Sequence, residues 1–523
     1  MDNAVPGFWY EATETPEWVA VHDIDGTAYT AGEILAKTNR VSNALRAEGV
    51  EAGDDVAILT RNRADTLVLE RACAQIGVYH TMVNSHLTAP EVAYILEDSS
   101  PRRVFVEDRT AELARRAVDL AGIEHGRVCS LDPGDHFVTV EEWSSTESVE
   151  APSDRTIGPV MLYTSGTSGR PKGVRPPRVD MSPEEYATIR SGLLRRYGID
   201  PSEQLGNGVH LVTSPLYHAA PLANASIALD LRHPVVLMDR FDAASALLLI
   251  EEHAVTWTHV VPTMMRRFME LPEAVRAGAD TSSLRWLIHA AAPCPVDLKR
   301  RVIDWLGDVV WEYYASTEGG GTVISAHEWL ERPGSVGRPY PGAEIRIFDE
   351  VGNDVPPGVT GDIYMLNNRP FTYHNDPEKT AASMRGNYVT AGDVGYLDEA
   401  GYLFIADRRT DLILTGGVNV YPREVEDVLI MHSDVADVAV IGRPDDDLGQ
   451  VVHAVVELAD PDRDSEDLVA ELSLLVAEQL SSQKHPRSYE FRDQLPRNEA
   501  GKLLRRVLRD EAAGPAASSA SSA

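Results

Sequence analysis

The chain is short of basic residues, of cysteine and of long apolar runs. Its 48 lysines and arginines face 81 aspartates and glutamates, a net charge of −33 over 523 residues. A field of that sign repels polyphosphate backbones and anionic lipid headgroups, which argues against nucleic acid and membrane surfaces as partners. Any cation held in a special setting then carries more weight. The cysteines, Cys73, Cys129 and Cys294, are widely spaced and form no CxxC pair, which argues against a disulfide framework or a thiolate zinc site and fits a reducing compartment. No apolar stretch reaches about 18 residues, and Met1 to Pro16 has neither a basic start nor an apolar segment. The expectation is a cytoplasmic protein that does not span a membrane. The length is well beyond the size at which one core stops growing, so at least two domains are expected.

What the chain does have is a loop around which the rest is organised. Tyr163-Thr164-Ser165-Gly166-Thr167-Ser168-Gly169-Arg170-Pro171-Lys172-Gly173-Val174 follows the apolar run Val160-Met161-Leu162. Glycines let backbone N–H groups converge on an anion, the hydroxyls add donors, and Lys172 supplies a point charge that can follow a phosphate. A flexible Ser/Gly linker is the plainer reading of that composition, but a linker needs neither an apolar strand before it nor a Pro-Lys-Gly stop after it. The segment reads as a phosphate cradle. It is not of the Walker type, because Pro171 stands where that pattern requires glycine followed by lysine.

The remaining pattern is α/β. Ala31 to Ala47 has helical apolar spacing, and Asp55 to Leu59, Arg103 to Val106, His210 to Val212, Pro234 to Met238 and Trp257 to Val261 read as strands, with a helix over Ala243 to His253. This alternation predicts a large N-terminal domain of two α/β subdomains. Short alternating runs at Ala343 to Phe348 and Gly361 to Met365, separated by Pro/Gly turns, predict a small antiparallel, barrel-like subdomain. Charged residues at Asp407 to Asp411 mark a boundary. Beyond it, a helix from Pro422 to Met431, strands at Val435 to Ile441 and Val451 to Leu458, and a helix from Glu466 to Leu480 form a small α+β module. The domains expected are 1–408, 409–511 and an Ala/Ser-rich, disordered tail over 512–523.

Three further clusters carry polar chemistry. Trp311-Glu312-Tyr313-Tyr314-Ala315-Ser316-Thr317-Glu318-Gly319-Gly320-Gly321 offers a ring to stack on a purine, hydroxyls for a phosphate, and a carboxylate for magnesium beside unobstructing glycines; a strand-end turn with a solvated glutamate is the alternative. Tyr388 to Asp393 with Ala406-Asp407-Arg408-Arg409 offers an aspartate for ribose hydroxyls and an arginine nearby, or else an acidic turn with a surface arginine. Pro496-Arg497-Asn498-Glu499-Ala500-Gly501-Lys502 ends in a lysine that, alone, reads as solvated.

In order and spacing the four clusters resemble the adenylate-forming superfamily of acyl-CoA synthetases, peptide-synthetase adenylation domains and firefly luciferase, from about Pro16 to Arg506. The glycine-rich loop matches over Tyr163 to Gly173, and Tyr314-Ala315-Ser316-Thr317-Glu318 matches a Tyr-Gly-x-Thr-Glu motif with alanine in place of glycine. The resemblance implies ATP-dependent activation of a small carboxylic acid as an acyl-adenylate, then transfer to CoA, by a large domain and a mobile C-terminal lid. It assigns Lys502 to the charge between carboxylate and α-phosphate, and Thr317 with Thr164, Ser165, Gly166, Thr167, Ser168, Gly169 and Lys172 to the phosphates. Glu318 falls to Mg²⁺, Tyr314, Ala315 and Ser316 to adenine, Asp393 and Arg408 to ribose and phosphate, and Gly416 and Gly417 to the pantetheine arm of CoA. The domain pivot falls on Thr410.

Ser214-Pro215-Leu216-Tyr217-His218-Ala219-Ala220 resembles the segment bordering the acyl pocket, with His218 readable as a substrate contact or as a packed histidine. Met264 and Met265 read as core packing. Small alanines at Ala290 to Ala292 and the glycines Gly319 to Gly321 leave room for a bulky or extended apolar acid rather than acetate. The alternative to CoA is another acceptor, a carrier-protein thiol or an amine, including nitrite-dependent diazotisation of an aryl amine. A homodimer is compatible with the sequence.

Overall fold

The computed structural model describes residues 5–512, apart from 135, 165–170, 317, 367–369, 410, 416–417, 446–447, 461–462, 464–465 and 498–502. Two large sheets build the N-terminal part. In the first, strands 79–82, 55–59, 103–106 and 128–130 run parallel, 160–164 joins them in parallel, and 172–175 turns back antiparallel beside it. In the second, 210–212, 235–237, 257–260, 286–289 and 310–316 are parallel, and 319–325 returns antiparallel along 310–316. Parallel strands covered on both faces are buried throughout, as in Asp55–Leu59 and Trp257–Val260.

The main core joins both sheets, bringing Ile58, Met82 and Phe105 together with Val212, Leu237 and Ile288. Helix Ala31–Ala47 covers it through Ile34, Val41 and Leu45. It starts on a capping box in which Thr30 Oγ1 accepts the Glu33 N–H and the Glu33 carboxylate accepts the Thr30 N–H at 2.8 Å. Helix Ala64–Ala74, buried on every side, carries Glu70 and Arg71 into the interior. Arg71 Nε lies 3.0 Å from Glu70, and Arg190 Nε donates to Asp230 at 2.9 Å, so these internal charges are balanced pairwise.

An all-antiparallel six-stranded sheet follows, in which 361–366 pairs with 345–348, 388–389 and 393–397, and 393–397 pairs with 403–408. This is the expected barrel-like subdomain, extended to Arg408. The small C-terminal domain has its own sheet, with the long hairpin 435–445 and 449–458, strands 413–415 and 418–420, and 488–492 parallel to 449–458. Helices Pro422–Leu429 and Glu466–Gln479 pack on it around Val425, Leu468 and Leu472. Arg505 donates twice to the Glu426 carboxylate at 2.7 Å, holding the last helix, Arg505–Ala512, on this domain. The large domain reaches across through Arg266, whose Nη1 donates to the Ala436 carbonyl at 2.9 Å. The helix keeps Ala512 in ordered structure, and 513–523 lie outside the described residues. Among the described residues no helix is long and apolar enough to cross a membrane, and the three cysteines are free and buried.

Candidate active site

Two hairpins bring the predicted phosphate residues together. Thr164 and Lys172 are cross-strand partners, and Ser165, Gly166, Thr167, Ser168 and Gly169 between them lie outside the described residues. Ser316 and Gly319 are partners in the same way, and Glu318 sits at the tip between them. Tyr373 joins the two. It pairs with Val174 on the cradle strand, its ring lies 5.4 Å from Lys172 Nζ, and its hydroxyl donates to Glu318 Oε1 at 2.8 Å. Burial and the Glu318 charge raise the Tyr373 hydroxyl well above its ordinary value, so it stays a donor and orients the carboxylate.

Helix Pro377–Ala382 adds Lys379, whose ammonium lies against that of Lys172. Burial first, and then Lys379, bring Lys172 down to about 8 against the opposing pull of Glu318. Two ammonium groups pressed together beside an oriented carboxylate form a corner suited to a polyanion and a divalent cation. Sequence reasoning missed Tyr373 and Lys379. They lie over 50 residues from Glu318, and no motif marks them.

The residues expected to hold adenine and ribose lie close by. The Tyr314 hydroxyl donates to Asp393 Oδ2 at 2.7 Å, and Asp393 is buried and paired across the sheet with Arg408, whose side chain is not among those described. The neighbouring Asp407 accepts the Arg423 N–H at 3.0 Å in the first turn of helix Pro422–Leu429, which ties the barrel to the C-terminal domain. Ala315 is exposed and Ser316 Oγ lies 3.3 Å from the Gly319 carbonyl. Thr317, Thr410, Gly416, Gly417 and Lys502 lie outside the described residues.

His218, expected to border the acyl pocket, is half-buried at the start of helix Ala219–Asp230, its ring 4.5 Å from that of Tyr217. His259 lies beyond it, with Nε2 3.4 Å from the Tyr313 hydroxyl. Burial, and then the charges of Arg196 and His218, hold the His259 imidazole down at about 4. Met264 and Met265 are core residues. The glycines correct one expectation. A Cβ on Gly320 would stand 2.3 Å from Met365 Cβ, and one on Gly321 would stand 2.6 Å from the Tyr314 carbonyl oxygen and 2.8 Å from Tyr340. Gly320 and Gly321, with φ of +66° and +152°, let the barrel close on this strand; they do not open space for the acid. A Cβ at Gly319 would meet only Val389, at 3.9 Å.

Residues 8–369 match the model of the AMP-binding enzyme family, and 424–502 that of the AMP-binding enzyme C-terminal domain. The chain belongs to this family, the adenylate-forming superfamily of acid ligases. A fatty acid–[acyl-carrier-protein] ligase, ScoC of Streptomyces coeruleorubidus, is 33% identical over 94% of this chain and 93% of its own. Feruloyl-CoA synthase of an Amycolatopsis species is 33% identical over 97% of this chain and 99% of its own. Among solved structures, ATP-bound MatB from Rhodopseudomonas palustris superposes with a TM-score of 0.84 at 29% identity, covering 98% of this chain and 99% of that one.

Proposed function

We propose that the chain uses the Lys172–Glu318–Tyr314–Asp393 surface to adenylate a carboxylic acid and then hands the acyl group to CoA. It is an ATP-dependent, AMP-forming acid:CoA ligase. The observation that carries the site assignment is the lysine pair beside the oriented Glu318, one hairpin away from the Tyr314–Asp393 hydrogen bond.

A carboxylate is a poor electrophile, so its oxygen first attacks the α-phosphorus of ATP and pyrophosphate leaves. Lys172 and Lys379 take the β- and γ-phosphates with Thr164 and the cradle hydroxyls, so that the leaving group departs with its charge compensated. Glu318, with one oxygen held by Tyr373, fits Mg²⁺ together with phosphate oxygens, and the ion supplies charge neutralisation there. Tyr314 lies on adenine, Asp393 accepts from the ribose with Arg408 beside it, and Thr317 adds a hydroxyl to the phosphates. Lys502 is the cation between carboxylate and α-phosphate. The C-terminal domain, with its boundary at 408/409, then rotates about Thr410 to bring Gly416 and Gly417 to the pantetheine arm. Three free, buried thiols and the substrates ATP and CoA support a cytoplasmic location.

The carrier-protein ligase among the relatives favours a second acceptor, a phosphopantetheine thiol on a protein. Acid-dependent ATP–pyrophosphate exchange tests adenylation. AMP release on adding CoA, a carrier protein, or an amine with nitrite then identifies the acceptor. Lys502→Ala should nearly abolish exchange while a preformed adenylate still reacts, and Lys172→Ala should lose less; the reverse ranking contradicts the division of labour.

A further inference from the structure

The acyl side holds a cation that the reaction as described does not use. Residues Gly192–Tyr197 form a 3-10 turn packed against strand Gly319–Ser325, and Arg196 projects from it. Its guanidinium carbon lies 4.8 Å from the ring centre of Tyr197 and 4.9 Å from that of Tyr313. Its charge also reaches His259. Strand alternation places this group, because Tyr314 turns toward Asp393 and the nucleotide while Tyr313 turns to the opposite face, toward His259 and the acyl side.

Among the described residues no carboxylate pairs with Arg196, and its Nε is buried with no hydrogen-bond partner. Several enclosed arginines of this acidic chain do meet acids: Arg63 meets Asp132, Arg71 meets Glu70, Arg175 meets Asp55 and Arg190 meets Asp230. Aromatic faces hold a guanidinium flat and attract it weakly, and the Tyr197 hydroxyl is within its reach, but neither supplies the negative charge that a carboxylate would. The imidazole of His259, held down at about 4, brings no negative charge.

We propose that Arg196 determines substrate class: the acid activated here carries a second carboxylate, remote from the one adenylated, and Arg196 receives it in the Tyr197–Tyr313–His259 box. The inference rests on the ligase reading above and deepens it. A carboxylate answers the guanidinium fork with paired hydrogen bonds, whereas an apolar tail there leaves a desolvated charge without a partner, so the box rejects simple monoacids as well as selecting diacids.

The test uses matched pairs, an α,ω-dicarboxylic acid and its ω-methyl ester, across alkyl and aryl spacers, with kcat/KM from pyrophosphate exchange. The parent enzyme should favour the diacid by about tenfold to a hundredfold, the range of one charged hydrogen-bonding partner. Arg196→Leu should bring the ratio to one or below, Arg196→Lys should keep part of it, and Arg196→Glu should shift preference to the matching ω-amino acid. Because each variant is scored by a ratio of two substrates, a general loss of folding or ATP binding does not imitate the result. A parent ratio of one or less over all spacers, or an unchanged ratio in Arg196→Leu, overturns the inference alone. Absence of exchange with every acid in the parent overturns the ligase reading and this inference with it.

Discussion

Lys379→Met separates a binding site for polyphosphate from a merely crowded surface. In the ligand-free chain, burial and the neighbouring Lys379 charge bring Lys172 down to about 8. Two like charges about 4 Å apart repel by about 1 kcal/mol at the dielectric of water and about 4 kcal/mol at an effective value near 20. Both side chains are only half-buried, so screening by solvent and salt brings the cost to the free protein down to about 1 kcal/mol. Removing Lys379 therefore stabilises the ligand-free protein at pH 7 by about that amount, and weakens pyrophosphate and ATP binding about tenfold through loss of one charge-assisted contact. The pH dependence has a definite sign. The folded-state pKa of Lys172 lies below its ordinary 10.5, so the unfolded chain binds more protons and the parent gains stability as pH rises from about 8 to 10.5. The benefit of Lys379→Met is greatest below that window and shrinks across it, as Lys172 becomes neutral in both folded proteins. Urea denaturation at pH 7 and pH 10, with and without pyrophosphate, reads stability and binding together. A variant less stable than the parent at pH 7, or one that binds pyrophosphate as tightly, refutes the reasoning.

Three further perturbations follow from single contacts. Glu312 accepts from the buried Lys299 at 2.5 Å, with His289 Nε2 at 3.8 Å. Glu312→Gln should lower stability by about 3 kcal/mol, and Lys299→Met combined with Glu312→Leu should recover most of it; equal urea midpoints for single and double variants would contradict the pairing. Tyr314→Phe keeps the ring and deletes the hydrogen bond to Asp393, worth about 1 kcal/mol, so KM for ATP should rise about fivefold with little change in kcat. Arg266 Nη1 bonds the Ala436 carbonyl, and its guanidinium lies 3.6 Å from Asp437 and 4.0 Å from Glu457 across the domain junction. Arg266→Ala should depopulate this orientation, so that adenylation and CoA-dependent consumption of preformed adenylate change in opposite directions; parallel changes in stopped-flow rates would rule that out.

Elements whose pattern is periodic were readable before the structure. Helix Ala31–Ala47 and strands Asp55–Leu59 and Arg103–Val106 fall where their spacing places them, because a buried face leaves one register for the apolar residues. Helix Ala64–Ala74 has no such signal. It is buried on all sides, and its internal Glu70 and Arg71 read as surface residues until Asp230 and Arg190 appear beside them. At the site, Tyr314, Glu318 and Asp393 are legible because short motifs carry them. Tyr373, Lys379 and Arg196 are not, since Glu318, Lys172 and the Tyr313 ring that they meet lie far off in sequence. Gly320 and Gly321 misled for a related reason: a glycine shows that something comes close, and only the fold shows that here it is Met365 and Tyr340, not substrate.

Strand Val310–Ser316 then explains why one stretch of sequence holds so many roles. Its period of two turns Tyr314 toward Asp393 and Tyr313 toward His259, while buried Glu312 fixes the strand through Lys299. The hairpin tip that follows presents Glu318 to the lysine pair. The departure from glycine at Ala315 is absorbed there because its methyl group is exposed. The close approach that glycine would otherwise provide is supplied across the hairpin by Gly321, whose missing Cβ would stand 3.2 Å from the Ala315 Cβ. A Cβ at position 321 would also stand 2.6 Å from the Tyr314 carbonyl oxygen and 2.8 Å from Tyr340, so the hairpin requires Gly321 whatever residue stands at 315.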